Sequence, residues 1–454
     1  MNNTEMSTAS RVDFIESYGA RREEALGRRP RLLFLARAFP PARNAACPRT
    51  WNIAKHLARL GWDVTVVTAH PSVWRHIDNP QEVEDQLRIE GIQRILSDHR
   101  WRHLEGHQLN CWNEGLGWFI GGIFRAVARR LGIDNGVGWR IAAAQACSRL
   151  SKGDADLVLA TALPVSAFRL AKKLSERLGC PYVMDYRDPL TQNPHRKSAA
   201  SSKLIQEEKR LLAGSAAVTI VSPSWAELLK RQHGVGSKMH VITNGYDPED
   251  LSQVEPVQFG HFAIVYAGVF YPPKRVITPI LYALKRLKEQ CDGSMSEYYF
   301  HYYGPHQTHV LDEAREAGVA PHVVLHGHVS RAEAYSAIKG ANVAVVITSV
   351  VDEASKEAQG IVTGKIFEAV GLGTPILLIC PSGSDAEIVI KDTGLGQAFR
   401  GNDVEGIAGF LRELMTGGQV RSENVAEYSW ANIGKKLDTI LRRVLHTNPN
   451  VQIA

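Results

Sequence analysis

The segment TGKIFEAVGLGTPI, residues 363–376, combines residue types that can bind a phosphate group. Thr363 and Gly364 are typical of the start of a short helix, and Gly371 and Gly373 of its end before the next strand. The N-terminus of a helix carries unpaired N–H groups and a partial positive charge, and both attract a diphosphate. The segment therefore predicts an anion site at the beginning of a helix.

Lys365 and Glu368 add side chains suited to the same ligand. Lys365 lies in the predicted first turn and brings a mobile positive charge, and Glu368 follows on the same face of the helix. A carboxylate about one turn from the phosphates can accept hydrogen bonds from both hydroxyls of a ribose. These parts predict a nucleoside diphosphate site at the C-terminal edge of a parallel sheet. The spacing alone fits an exposed lysine–glutamate pair on a surface helix equally well.

Arg187 and Asp188 form a second candidate site. They follow the predicted strand Tyr182-Val-Met-Asp185 and so lie just past a strand end, where they would face a cleft. Two interpretations stay open. The pair either binds a hydroxyl-bearing substrate, an acceptor, and orients its reacting hydroxyl, or forms an internal ion pair that fixes the loop.

The elements that must position these residues alternate between strand and helix. An apolar run at 31–36, a helix pattern at 49–60 and a second apolar run at 63–68 form one βαβ unit. Further strands are predicted at 157–160, 182–185, 217–221, 240–243, 262–266, 298–303, 322–326, 343–347 and 375–379, and further helices at 165–178, 277–289, 309–317, 331–339 and 365–370. This order predicts an α/β protein with two Rossmann-like, doubly wound parallel-sheet domains that face a cleft.

The segment at 244–256 is rich in turn formers and poor in apolar residues, which marks it as the domain boundary. We therefore expect a polar leader at 1–30, a first domain at 31–248 and a second domain at 249–425. A Trp-rich excursion at 100–140, with aromatic side chains among arginines, interrupts the first domain. It either rests on lipid headgroups as an interfacial segment or packs its aromatics onto the first domain.

The composition restricts the partners. The chain has 454 residues, a formal net charge of +6 and 22% charged residues, which indicate a globular protein with a mildly basic balance. It has no Lys/Arg block and no basic–aromatic module, so we predict no nucleic-acid partner. We also expect no transmembrane helix and no targeting peptide. The prediction is a cytoplasmic protein, with peripheral contact at the inner face of the membrane as an alternative.

Cysteines and candidate metal ligands are scattered. The six cysteines contain no CxxC pair and are typical of reduced, mostly buried thiols. Asp154-Ala-Asp156 imitates a metal-binding DxD motif but directly precedes an apolar strand, and His326 and His328 lack further ligands at zinc spacing. We predict no metal site and no cofactor.

Over nearly its whole length the sequence resembles the GT-B glycosyltransferases, in particular glycosyltransferase family 4 in its bacterial cell-surface polysaccharide branch. The nucleotide-binding signature of that family is similar to Lys365-Ile-Phe-Glu368 followed by Gly373-Thr-Pro375. The other similar segments are Phe39-Pro-Pro41, Arg49, residues 61–68, Asp185-Tyr-Arg-Asp-Pro189, residues 241–247, Tyr266-Ala-Gly268 with Lys274, residues 326–333 and Tyr428-Ser-Trp430. The sequence departs from the family pattern at Gly360, where a carboxylate is common, and at Val269, where a basic residue is common.

The resemblance implies a role for each matching residue. Gly268 would let the backbone approach the nucleotide, and Lys274 would reach the diphosphate from the side opposite Lys365. The implied donor-binding residues are Gly268, Lys274, Thr363, Gly364, Lys365 and Glu368, and the implied catalytic residues are Arg187, Asp188 and Glu368. The resemblance further implies a retaining reaction without bound metal and a last helix, within 426–454, that crosses back to the first domain.

The leading hypothesis is a glycosyltransferase that moves a hexose-type sugar from a nucleoside diphosphate donor to a cell-surface glycan or a lipid-linked acceptor. Two alternatives stay open. One is a catalytically weak protein that binds a nucleotide sugar as a sensor or partner subunit, which Gly360 favours. The other is a GT-B-type sugar-nucleotide epimerase, which needs acid and base side chains in the cleft.

Overall fold

The computed structural model describes residues 28–97, 136–162, 164–194, 200–290, 297–305 and 307–447. Most of the predicted leader at 1–30 and of the Trp-rich segment at 100–140 lies outside the described residues, as do Cys111 and Cys291. The described residues form two parallel sheets covered by helices. The predicted fold class is therefore confirmed.

The first sheet belongs to the N-terminal domain. Its strands are β1 (Arg31–Leu35), β2 (Asp63–Ala69), β3 (Gln93–Ser97), β4 (Leu157–Thr161), β5 (Tyr182–Tyr186), β6 (Ala217–Ile220) and β7 (Met239–Val241). They lie in the order β3-β2-β1-β4-β5-β6-β7. β4 and β5 are buried along their whole lengths, as apolar strands with helices on both faces of the sheet must be. The strand order reverses between β1 and β4, and a crevice opens there at the carboxyl ends of the strands.

The second sheet belongs to the C-terminal domain. Its strands are β8 (Phe262–Ala267), β9 (Tyr298–Tyr303), β10 (Val323–Gly327), β11 (Val343–Ile347), β12 (Ile376–Ile379) and β13 (Gly396–Phe399). They lie in the order β10-β9-β8-β11-β12-β13, and the strand order reverses between β8 and β11. The strand order therefore reverses at the equivalent position in each of the two domains.

Helices connect and cover the strands. Those of the N-terminal domain are α1 (Cys47–Arg59), α2 (Pro80–Ile89), α3 (Val137–Ala146), α4 (Ser166–Leu178), α5 (Ser202–Gly214) and α6 (Pro223–His233). The later ones are α7 (Pro248–Ser252), α8 (Thr278–Gln290), α9 (Gln307–Glu316), α10 (Arg331–Gly340), α11 (Lys356–Gln359), α12 (Gly364–Leu372), α13 (Asp385–Thr393), α14 (Val404–Met415) and α15 (Trp430–Thr447). Every predicted strand and helix has a counterpart here, whereas β3, β13 and several helices, among them α5, α6 and α14, were not predicted.

The last helix, α15, packs on the N-terminal domain. Its apolar side chains, including Trp430 and Leu437, join the cluster formed by β1 and α1. At the same contact the indole Nε1 of Trp62 donates a 2.6 Å hydrogen bond to Asp438. The buried apolar area and this buried hydrogen bond hold the chain end on the first domain.

A second contact joins the domains beside the cleft. Ser224, in the first turn of α6, donates from its backbone N at 2.7 Å and from its hydroxyl at 2.8 Å to the carboxylate of Asp385. Asp385 begins α13 in the other domain and is buried. The neighbouring Trp225 donates from its indole Nε1 to the carbonyl oxygen of Glu357 at 3.0 Å.

None of the helices within the described ranges combines the length and the apolarity needed to cross a membrane. The four cysteines in those ranges, Cys47, Cys147, Cys180 and Cys380, are free and buried, as predicted.

Candidate functional site

A cavity of about 470 Å³ opens between the two domains, at the carboxyl ends of both sheets. Its lining includes Ala45, Pro48, Arg49, Asn52, Arg187, Asp188 and Trp225 from the N-terminal domain and Arg275, Arg331, Tyr335, Thr363, Gly364, Lys365 and Glu368 from the C-terminal domain. The segment between the domains adds two carboxylates, Asp247 and Asp250. Both candidate sites of the sequence therefore meet in one cavity. The spacing in the sequence could not show that the two sites lie together, because Asp188 and Thr363 belong to different domains.

The N-terminus of α12 points a set of uncommitted polar groups at this cavity. Thr363, the residue before the helix, makes no side-chain capping bond, and its Oγ1 is buried without a hydrogen-bond partner in the described ranges. The first turn carries no acidic residue. This end of the helix thus keeps both its positive partial charge and its donors available for an anion.

Lys365 is held in place by its own domain. Its ammonium donates to the carbonyl oxygen of Ala267 and lies 5.2 Å from the ring centroid of Tyr266. The pKa of Lys365 is lowered to about 8, chiefly by burial; the charge of Glu368 opposes this shift and the charge of Arg275 adds to it. Charge on this side chain is therefore costly until an anion arrives.

Gly268 makes room for Lys365. A Cβ built on Gly268 would lie 1.4 Å from the Nζ atom of Lys365, and the glycine has a φ of +151°. Every other residue type would displace the ammonium and strain the backbone. The packing of the lysine is thus a reason for this glycine that the sequence did not show, and the approach of its backbone to a nucleotide stays a prediction.

Arg275, and not Lys274, faces the cavity. Lys274 is 45% exposed and pairs with Glu353 at 2.7 Å, away from the lining residues. The guanidinium of Arg275 lies 5.3 Å from the ring centroid of Tyr271, and its buried Nε has no hydrogen-bond partner in the described ranges. Lys274 is not among the lining residues, because the loop turns the neighbouring arginine inward, and its predicted contact with a diphosphate opposite Lys365 stays a prediction.

Glu368 lies on the cavity wall between two side chains of α10. Its Oε1 accepts a 2.8 Å hydrogen bond from the hydroxyl of Tyr335, and the guanidinium of Arg331 lies 3.7 Å from the same oxygen. Arg331 in turn donates to the Tyr335 hydroxyl. These contacts hold the carboxylate in one position and leave its Oε2 without a partner in the part of the chain that the structure describes. Sequence reasoning did not identify Tyr335 or Arg331, since nothing in their spacing links them to Glu368.

Arg187 and Asp188 lie opposite this wall, at the end of β5. The Nε of Arg187 donates a 2.7 Å hydrogen bond to the carbonyl oxygen of Ala162, and burial lowers the pKa of Arg187. No ion pair joins Arg187 to Asp188 among the described residues. The interpretation as an internal ion pair therefore has no support in the geometry.

The buried ion pair at this end of the first sheet is formed by other residues. Arg49 binds both carboxylate oxygens of Asp185, at 3.0 and 2.6 Å, and donates three further hydrogen bonds to residues 242–244. Thr161 and Thr219 donate to the same carboxylate at 2.8 and 2.7 Å. Both charges are satisfied, so the pair fixes α1 against β5 and β7 and offers little to a ligand.

Trp225 accounts for the departure at Gly360. A Cβ on Gly360 would lie 2.1 Å from Cδ1 of Trp225, so the indole occupies the space that a carboxylate side chain would need. Glu357, three residues before Gly360, meets the indole through its backbone oxygen. The wall of the cavity is apolar at this point.

The DxD-like acids have structural partners. Asp156 pairs with Arg28 at 2.7 Å, and Asp154 accepts a 2.7 Å bond from the backbone N of Ser151. Within the described ranges, no three His, Cys, Asp or Glu side chains are placed to hold a metal ion.

Comparison with known proteins supports the same fold. A model of the glycosyl transferase 4-like domain matches residues 46–245. No curated protein sequence matches the chain significantly. The chain is similar in structure to sucrose-phosphate synthase from Thermosynechococcus elongatus, with a TM-score of 0.60, 14% identity and coverage of 92% of this chain and 100% of the other.

Two further solved structures are similar. The lipopolysaccharide outer core galactosyltransferase WaaB, in its apo form, has a TM-score of 0.54 and 13% identity, covering 91% of this chain and 99% of the other. Anabaena Alr3699/HepE, solved in complex with UDP-glucose, has a TM-score of 0.51 and 13% identity, covering 92% and 98%. At these identities the likeness shows the fold. The predicted resemblance to GT-B glycosyltransferases of the family 4 type is confirmed.

Proposed function

We propose that this chain, a glycosyltransferase-like protein of the GT-B fold, transfers a sugar from a nucleoside diphosphate sugar to a hydroxyl group of an acceptor. One observation carries the proposal. The N-terminus of α12, the ammonium of Lys365 and two groups without a hydrogen-bond partner in the described ranges, the Oγ1 of Thr363 and the Nε of Arg275, belong to residues that line one cavity. An anionic group of high charge density is the ligand that these groups fit.

The chemistry of sugar transfer requires such a site. When the bond from the sugar to the diphosphate breaks, negative charge grows on the leaving oxygen, and fixed cations and helix N–H groups stabilise that charge. Lys365 and Arg275 would perform this role without a bound metal. The burial of Lys365 strengthens its interaction with the diphosphate, because the surrounding dielectric is low.

The remaining residues divide between the donor and the acceptor. The Oε2 of Glu368, which has no partner among the described residues, would accept hydrogen bonds from the ribose hydroxyls of the donor, and Tyr335 keeps the carboxylate in position. Arg187 and Asp188, on the opposite wall, would bind the acceptor and orient its hydroxyl. Closure of the two domains excludes water from the reaction.

The finer assignments are the acceptor, the stereochemistry and the location. We infer a glycan or lipid-linked acceptor at the cell surface, a retaining reaction, and a cytoplasmic protein with peripheral contact at the inner face of the membrane. The similar structures include a lipopolysaccharide outer core galactosyltransferase and a protein solved in complex with UDP-glucose, which supports a glycan acceptor and a nucleotide sugar donor.

Nucleotide binding tests the proposal directly. Isothermal titration with UDP, GDP, ADP and CMP, in buffer with EDTA, should show binding of at least one nucleotide. Lys365→Ala should weaken that binding about ten- to hundredfold, because it removes a charge-assisted hydrogen bond to the diphosphate. Lys285→Ala, an exposed lysine of α8, is the matched control and should bind normally. Absence of binding for all four nucleotides would refute the proposed function.

A sensor or partner subunit remains the second candidate, because Trp225 occupies the space beside Gly360 where related proteins often carry a carboxylate. Turnover separates the two. A transferase incubated with a membrane lipid extract should release the nucleoside diphosphate from the matching nucleotide sugar, whereas a sensor should bind the nucleotide sugar and release nothing.

A further inference from the structure

A buried carboxylate contacts the loop at 187–194, which we call the acceptor loop. Glu208, in α5, is fully buried and lies on the same side of the helix as Leu211 and Leu212, which belong to the core of the N-terminal domain. A charge in such a place costs free energy unless hydrogen bonds satisfy it, and an apolar side chain would avoid that cost. The carboxylate therefore has a reason other than packing.

Three side chains donate hydrogen bonds to Glu208. The hydroxyl of Tyr186 donates to Oε1 at 3.1 Å, and the hydroxyl of Thr191 donates to Oε2. The Nε2 of His233, at the end of α6, lies 3.1 Å from Oε2 and donates there in the tautomer that carries its proton on Nε2. Burial and the charge of Glu208 raise the pKa of Tyr186 well above its ordinary value, so the phenol keeps the proton that it donates. All four residues are buried, and the carboxylate is satisfied.

Two of these donors enclose the residues that the proposed function assigns to the acceptor. Tyr186 is the last residue of β5 and directly precedes Arg187. Thr191 follows three residues after Asp188. The residues of the acceptor loop belong to no helix or strand, so no regular element fixes the backbone here. The buried carboxylate holds this part of the chain at both ends.

Arg187 and Asp188 have few bonds of their own. The Nε of Arg187 donates to the carbonyl oxygen of Ala162, whereas its terminal nitrogens and the carboxylate of Asp188 have no hydrogen-bond partner among the described residues. The places of both side chains in the cavity therefore depend on the backbone that carries them. A displacement of that backbone by about 1 Å is enough to slow a reaction that needs exact orientation.

The hydroxyl of Thr191 has a second neighbour. It lies 3.1 Å from the side-chain oxygen Oε1 of Gln232, in α6. A hydroxyl has one proton to donate, and a charged carboxylate is a stronger acceptor than an amide oxygen. The bond from Thr191 to Glu208 is therefore the one that ties the acceptor loop to the core.

We propose that Glu208 is a positioning residue for sugar transfer. Through Tyr186 and Thr191 it fixes both ends of the segment at 187–190, and so holds the side chains of that segment where an acceptor hydroxyl can reach them. The lining of the cavity does not include Glu208, so it acts only through the acceptor loop. The inference rests on the proposed function, since it concerns the acceptor side of the same cavity.

Two substitutions of Thr191 separate its hydroxyl from its packing. Thr191→Val keeps the shape and removes the hydroxyl, whereas Thr191→Ser keeps the hydroxyl and removes a methyl group. Turnover is measured as release of nucleoside diphosphate in the presence of membrane lipid extract, and nucleotide affinity by calorimetry. Thr191→Val should lower turnover about tenfold or more and change nucleotide affinity less than twofold, and Thr191→Ser should keep most of the turnover.

Three further variants identify the partner of the hydroxyl. Glu208→Gln replaces one carboxylate oxygen by an NH₂ group, which cannot accept, so it should break one tie and lower turnover like Thr191→Val. Gln232→Ala should keep turnover. Thr393→Val is the matched control, because the hydroxyl of this buried threonine bonds to the carbonyl oxygen of Val389 in its own helix, and it should change neither turnover nor nucleotide affinity.

Crystal structures of the two Thr191 variants give the position of the loop without any acceptor. In Thr191→Val we expect residues 187–190 to be displaced by about 1 Å or more, with β5 in place. In Thr191→Ser they should keep their position. An undisplaced segment in Thr191→Val would overturn the inference even if turnover falls.

The inference and the proposed function fail in different ways. If wild type binds no nucleotide, or binds it and releases no nucleoside diphosphate, sugar transfer is refuted and the positioning role falls with it. If wild type turns over and Thr191→Val does so equally well, the inference alone is overturned. Equal losses in Thr191→Val and Thr191→Ser would assign the effect to packing, and a loss in Gln232→Ala would assign the tie to α6; each of these results also contradicts the role of Glu208.

Discussion

Raising the pH from 7 to 9 should weaken nucleotide binding about tenfold. The pKa of Lys365 is lowered to about 8, chiefly by burial, so most of these side chains are charged at pH 7 and about nine in ten are neutral at pH 9. A diphosphate that requires the ammonium binds only those protein molecules in which Lys365 is charged. The ratio of those fractions gives the factor of about ten, or about 1.4 kcal/mol.

The sign of the effect follows from proton linkage. A bound diphosphate restores the charge on Lys365, so binding takes up about 0.5 proton at pH 8 and about 0.9 at pH 9. Affinity is constant below pH 7 and falls as the pH rises through 8. The stability of the protein without nucleotide changes in the opposite direction. Above pH 8 the folded protein has lost the Lys365 proton, whereas the unfolded chain keeps it up to the ordinary lysine pKa, so this group increases the free energy of unfolding as the pH rises above 8.

Calorimetry measures both quantities. Titrations of the protein with the nucleotide that it binds, in two buffers of different ionisation enthalpy, give the number of protons taken up. A series of such titrations from pH 6.5 to 9.5 gives the affinity at each pH. Lys365→Arg is the control, because the guanidinium stays charged over this range and any titration of the nucleotide itself affects both proteins equally. An identical pH dependence in wild type and Lys365→Arg would refute the assignment of Lys365 to the diphosphate.

Three substitutions test the rest of the geometry. Gly268→Ala should lower nucleotide affinity about tenfold or more in a protein that still folds, because the new Cβ takes the place of the Lys365 ammonium. Calorimetry measures that affinity, and a normal value would contradict this packing. Arg49→Ala leaves Asp185 charged and buried and should lower the free energy of unfolding by about 3–5 kcal/mol, measured by urea denaturation, whereas a loss below 1 kcal/mol would show that the pair is dispensable. Asp438→Ala removes the acceptor of two buried hydrogen bonds and should lower the free energy of unfolding by about 1–3 kcal/mol for each donor. An unchanged melting temperature would contradict the role of α15 in holding the domains.

The order of strands and helices was predictable because apolar runs of strand length and helical patterns are local properties of the chain. β11 is a continuous apolar run, β4 is apolar up to Thr161 and β5 is apolar except for Asp185, and the structure buries each along its whole length. β3 and β13 were missed, since both are edge strands with exposed and half-buried residues and so lack the apolar run that reveals a central strand. The start of α12 at Gly364 and its end before Gly373 were also predictable, from glycine and helix chemistry alone.

The partners of the site residues depended on the tertiary structure. The local sequence does not show that Arg275 faces the cavity while Lys274 faces outward and pairs with Glu353. Both are positively charged residues of one loop, and only the packing of the folded chain decides the direction of each side chain. The contacts of Glu368 with Tyr335 and of Gly360 with Trp225 join residues far apart in the chain. The sequence by itself determined which residues could bind a diphosphate and which elements carry them. Only the packing of two domains against each other decided which of those side chains share a cavity, because that arrangement rests on contacts between distant parts of the chain.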